Sequence, residues 1–115
     1  MKYTYDVKQL KKAYNVYLYA KFPKLHPKTL KTRADDVFVM FKWFGDEDDT
    51  WEFLLSSKLS YAFREKFLVE NFLGHRKNPI KDAKGYCRAI REFRKFIDIL
   101  EAIERAKVSK ARKVN

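Results

Sequence analysis

An all-α fold, a compact bundle of four to five helices with a long C-terminal helix, is what the sequence predicts, and three observations predict it. Apolar residues recur in steps of three and four along most of the chain. Three glycines and three prolines are too few for the tight turns of a strand-rich fold. A hydrophobic fraction of 46% beside a charged fraction of 36% describes a chain that buries a core and stays soluble. With 115 residues there is room for one domain, expected over 1–106, with 107–115 a basic flexible tail.

The first helix is expected over roughly residues 5–20, because Val7, Leu10, Tyr14, Tyr17 and Leu18 share one face. The second opens at His26-Pro27, where proline suits the first helical position, His26 caps the helix and Leu25 packs on Leu30 as a hydrophobic staple. Its buried stripe is Leu30, Ala34, Val37, Phe38, Phe41 and Phe44, and Gly45 ends it in a left-handed conformation. Asp46 to Asp49 read as an acidic loop leading into a capping box at Asp49 to Glu52.

From Trp51 to Leu73 the composition is helical, and Ser56, Ser57 and Ser60 leave open whether one helix or two fill it. Phe63, Phe67, Leu68 and Phe72 supply the buried side of the later part, and Gly74 closes it. The last helix starts at Asn78-Pro79 and carries Ala83, Tyr86, Ile90, Phe93, Ile97 and Leu100 inward, to about residue 106. That is about seven turns and roughly 40 Å.

Function is constrained first by what is missing. A single cysteine forms no internal disulfide, and with only His26 and His75 beside Cys87 neither a metal cluster nor a nucleophile held by a base is expected. Cys87 borders an apolar stripe and reads as a buried, inert thiol. No phosphate-binding glycine loop occurs, so no cofactor, metal or enzymatic activity is expected. The acidic run 46–49 lacks the ligand spacing of a calcium loop. No apolar run is long enough to span a membrane and the start lacks a signal peptide, so the expected location is the cytoplasm.

Net charge is +11, and it is divided: residues 1–34 carry nine Lys and Arg against one acid, 35–71 four against nine, and 72–115 thirteen against five. Such a field draws polyanions. Within the last helix Lys81, Lys84, Arg88, Arg91 and Lys95 fall in steps of three and four, inside an arc of about 80°. This ridge is centred about 170° from the apolar stripe. Glu92 and Asp98 flank it without entering it. A solvated helix face is one reading; a phosphate-binding face is the other, favoured by the arginines at 88, 91 and 94, because guanidinium grips phosphate through two hydrogen bonds. Lys24, Lys28 and Lys31 form a second basic surface, tempered by Asp35.

The segment YNVYLYAKFPKLHPKTLKTRADDVFVMFKWF and the later KNPIKDAKGYCRAIREFRKFID resemble the opening and closing helices of the core-binding domain, also called the SAM-like N-terminal domain, of tyrosine recombinases and phage integrases. The resemblance spans about residues 14–98. It implies a helical DNA clamp working largely through phosphate contacts, with strand cleavage left to a separate domain. It also implies Lys28, Lys31, Lys84, Arg88 and Arg91 as backbone contacts. The expected function is therefore a non-enzymatic nucleic-acid-binding module with duplex DNA the preferred partner. The alternative is a protein-interaction module, a homodimer or an acidic partner meeting the long helix.

Overall fold

A computed structural model describes residues 5–114, with side chains as far as Val108. Five helices follow one another: α1 (Val7–Lys21), α2 (Pro27–Phe44), α3 (Glu47–Leu55), α4 (Tyr61–Leu68) and α5 (Pro79–Val114), with a π-helical turn (Val69–Leu73) continuing α4. There is no strand among the described residues. The expected all-α bundle with a long final helix is the fold found.

Local chemistry sets most of the boundaries. The Asp6 side chain accepts the Gln9 N–H at 2.9 Å and starts α1. His26 Nδ1 accepts the Lys28 N–H at 3.1 Å, and Pro27 follows in the first turn of α2. Gly45 ends α2 at φ 68°, ψ 2°, its N–H returning to the Phe41 carbonyl.

The acidic run is not a loop. Asp46 is the cap of α3, accepting the Asp49 N–H at 2.9 Å, and Glu47, Asp48 and Asp49 fill the first turn. Three carboxylates at the positive end of a helix dipole favour this start three residues before the expected box, and it turns Thr50, Trp51, Phe53 and Leu54 inward.

The stretch from 51 to 73 divides in two. Ser56 to Ser60 turn the chain, and Ser60 Oγ caps α4 by accepting the Phe63 N–H. The π turn then brings Leu68 and Leu73, five positions apart, to the same buried side, where an α-helix would set them roughly 140° apart. Gly74 adopts right-handed φ −59°, ψ −25°, so it leaves the helix without the expected left-handed ending.

One position along α4 inverts the expected pattern: Phe63 is 48% exposed and Arg64 is fully buried. The cause lies at the end of α3. Arg64 donates from Nε to the Phe53 carbonyl (2.7 Å), from Nη2 to that of Ser56 (2.8 Å), and from Nη1 to that of Leu59 (2.6 Å). The Phe53 carbonyl, in the last turn of α3, and the Leu59 carbonyl, in the turn after it, have no backbone donor, and a forked cation supplies the donors that a phenyl ring cannot. Burial and nearby Arg94 pull its pKa down, with Tyr61 opposing. A guanidinium remains protonated at neutral pH regardless.

The core is largely aromatic. Tyr14 lies at its centre, edge-on to Phe93 (5.1 Å) and beside Phe96 (5.2 Å), while Phe41 meets Trp51 edge-on at 4.8 Å. A second cluster joins Phe44 to Phe53, Phe67 and Phe72. Both clusters seat α5, whose Ala83, Ile90, Phe93 and Ile97 are buried as expected and whose Tyr86 and Leu100 pack at the edge.

The expected end of this helix near 106 is corrected: α5 runs on to Val114. No glycine or proline follows Gly85, and the Ala, Lys and Arg of the basic run are good helix formers. Residues 101–108 are all exposed, and Ile99, Ile103 and Val108 face solvent as the helix leaves the bundle. At 36 residues it spans about 54 Å at 1.5 Å per residue. That accounts for most of the 59 Å long axis of the molecule.

Candidate nucleic-acid interface

The outer face of α5 is made by the same periodicity that builds its core. Because Ala83, Cys87, Ile90, Phe93 and Ile97 are turned inward, Lys81, Lys84, Arg88, Arg91 and Lys95 are turned outward, and all five are exposed. None of the five forms an ion pair with a described residue.

The carboxylates nearest the ridge are engaged elsewhere. Glu92 accepts from Lys21 Nζ and from the Tyr17 hydroxyl, each at 2.6 Å. Burial pushes its carboxyl up, but these two hydrogen bonds and the charges of Lys21 and Lys95 outweigh it, and the pKa falls below the usual range. Asp82 is bound by Arg76 at 3.4 Å. Asp98 stays exposed at the C-terminal end of the ridge. Cations from α1 and from the α4–α5 loop thus hold two of the flanking acids, and no described acid forms an ion pair with a ridge cation.

Two arginines outside the ridge border it across the groove between α2 and α5. Arg33 stacks on the Phe22 ring at 4.9 Å, and Arg76 lies over Tyr86 at 5.6 Å while bonding its hydroxyl. Asp36, Gly85 and Arg88 line the same groove. The Arg88 guanidinium lies over Gly85, where an added Cβ would sit 3.8 Å from Nη2. Neither Arg33 nor Arg76 follows from the periodicity of α5, since one comes from α2 and the other from a loop.

Lys28 and Lys31 do not join this surface. They are exposed, but they line a cleft between α1 and α2 with Lys11, Asn15, Tyr19 and Asp35, and Lys11 pairs with Asp35 at 2.9 Å. Lys31 and Arg33 are two residues apart, roughly 200° around α2, so they look to opposite sides. The second basic surface is therefore separate from the ridge and partly neutralised. The acidic start of α3 lies beside Tyr5, Val7 and Lys8, with no ridge residue in that cleft.

Asp36 is half-buried in the groove, where burial first and Asp35 second push its carboxyl up to about 6, with Arg76 opposing. A folded pKa above the unfolded value means the native state binds the proton more tightly, so this stabilisation is complete below about pH 4 and is lost as pH rises through about 6. Asp36→Asn removes the cost of the charge. The variant is expected to exceed the parent in stability by on the order of 1–2 kcal/mol at pH 7.5, after allowance for screening by water, and to match it at pH 4. Urea melts at the two pH values check this, and an equal difference at both would contradict it.

Burial pushes the Cys87 thiol up to about 11, with Glu65 adding to the effect against Arg64 and Arg91, so it is protonated at neutral pH. Among the described residues no three His, Cys, Asp or Glu side chains converge on a metal-sized site, and no helix is long and apolar enough to cross a membrane.

Comparison with protein-family models, with curated proteins and with solved structures finds no match to this chain.

Proposed function

We propose that this chain is a non-enzymatic module that grips duplex nucleic acid, DNA in preference, through the phosphates facing the outer side of α5. The observation that carries this reading is the free ridge: Lys81, Lys84, Arg88, Arg91 and Lys95 are exposed on one helical face, unpaired with described acids, while Glu92 and Asp82 are tied to cations of other elements. Like charges crowded on one face repel, and an array of phosphates relieves that repulsion while releasing its own counterions. Arg88 and Arg91 offer the forked donors that suit phosphate oxygens, and the lysines add point charge. Contacts of this kind position a duplex and read little of its sequence. Such a grip is the one implied by the resemblance to integrase core-binding domains.

A salt series tests the reading. With five cations on phosphates, the slope of log affinity against log salt for a duplex is expected near −4 to −5, and for a single strand near −3.5. Duplex affinity indifferent to salt would remove the phosphate grip.

A further inference from the structure

The edge of the ridge that faces α4 ends in a group of hydrogen-bond donors whose one described acceptor is the Tyr61 hydroxyl within the group itself. Tyr61, the first residue of α4, lies beneath Arg91, whose guanidinium carbon is 4.3 Å from the ring centroid. Arg94 approaches the same ring at 5.6 Å and donates from Nη1 to the Tyr61 hydroxyl at 2.9 Å. That bond uses the phenolic oxygen as acceptor, so the O–H hydrogen remains to be donated, and no described acceptor takes it. The other N–H groups of Arg94 have no described partner, and neither Arg91 nor Arg94 forms an ion pair with a described acid.

Arg64 also approaches the Tyr61 ring, 5.1 Å from its centroid, with its donors committed to the carbonyls of Phe53, Ser56 and Leu59. Three guanidinium groups around one phenol, with no carboxylate among them, form a site of strong positive potential. Glu65 lies one turn beyond Tyr61 on α4 and Asp98 one turn beyond Arg94 on α5, and neither bridges to these arginines.

We propose that Tyr61, Arg91 and Arg94 together form a seat for one phosphate diester oxygen pair of the bound nucleic acid, set off from the ridge toward α4. This deepens the phosphate-grip reading and rests on it. The seat combines a neutral donor and two forked cations, a combination that suits a singly charged diester. Arg94, at roughly 220° around α5 when Lys81 is set to zero, lies outside the ridge arc, and the ring of Tyr61 is what brings it into use.

The test compares the parent, Tyr61→Phe and Arg94→Gln in binding a fluorescent duplex over a salt series, with thermal melting of each as a fold control. Tyr61→Phe is expected to bind about tenfold more weakly with an unchanged salt slope, because it removes one hydrogen bond to a charged group and no cation. Arg94→Gln is expected to lose a similar factor and to flatten the slope by up to about 0.9, because it takes a cation away from the phosphates as well as a hydrogen bond. A change in helix packing alone would lower affinity without this split between the two slopes, and that result would overturn the seat. Parent binding matched by both variants in affinity and slope would also overturn it and leave the ridge standing. Failure of the parent to bind any duplex would overturn both.

Discussion

Arg64→Met is expected to cost the fold about 3–5 kcal/mol. Methionine is close to arginine in length and fills most of the same space, so the loss does not come from a cavity. It comes from the carbonyls of Phe53 and Leu59, which accept from Arg64 at 2.7 and 2.6 Å and have no other donor among the described hydrogen bonds, and from that of Ser56, which keeps only a 3.4 Å bond from the Leu59 N–H. Each buried carbonyl left without a donor costs about 1–3 kcal/mol. A buried ion pair is sometimes replaced by apolar residues at no cost, because both partners go together; here the partners are backbone and stay. Against a total of about 5–15 kcal/mol for a domain of this kind, the midpoint of thermal unfolding should fall by roughly 15–30 °C. Arg64→Lys is expected to recover only part of this, since an ammonium on a flexible stem does not span three carbonyls. A midpoint for Arg64→Met within about 4 °C of the parent, the shift expected from roughly 1 kcal/mol, would contradict this account of the junction between α3 and α4.

The limits of reading this fold from sequence follow from the same junction. Where local chemistry decides, the sequence is explicit: His26-Pro27 opens α2, Gly45 ends it, and the three-and-four steps of α5 place Ala83, Ile90, Phe93 and Ile97 inside. Two adjacent capping patterns, Asp46 to Asp49 and Asp49 to Glu52, compete for the start of α3, and the earlier one wins by placing three acids in the first turn. The inward turn of Arg64 and the π turn at Val69–Leu73 have no local signature. Both answer demands set by other elements: unsatisfied carbonyls at the end of α3 in one case, and the shared burial of Leu68 and Leu73 in the other.

The candidate site divides along the same line. The five cations of the ridge follow from the regular period of one helix, and all five are exposed. Their freedom from acids depends on Lys21 reaching Glu92 from α1, at a separation of 71 residues, and periodicity carries no trace of that. Lys28 and Lys31 read in sequence as a second basic surface, and a charge count gives no direction that would relate it to the ridge. The turn of α2 sends them to the side away from Arg33 and Asp36. Tyr61 reads in sequence as one more aromatic of a helical stretch, and only the packing of α4 on α5 sets its hydroxyl against Arg94.

Reversing two charges at the centre of the ridge tests the proposal that this face holds a polyanion. Arg88 and Arg91 are exposed, outside the core and free of ion pairs with described residues, so Arg88→Glu/Arg91→Glu alters the surface field by about four charge units while sparing the packing beneath. What the change removes from the fold is the stacking of Arg91 on Tyr61, about 0.5–1 kcal/mol at an exposed site. Phosphates that were gripped now meet carboxylates, and Lys81, Lys84 and Lys95 remain as the only ridge contacts. Duplex affinity at moderate salt is expected to fall by about 100-fold or more, and the salt slope to flatten to roughly −3. The decisive measurement is therefore duplex binding by this double variant beside the parent, with circular dichroism showing equal helicity: the phosphate grip predicts near-abolished binding by an intact bundle, and unchanged affinity would place any nucleic-acid contact on another face.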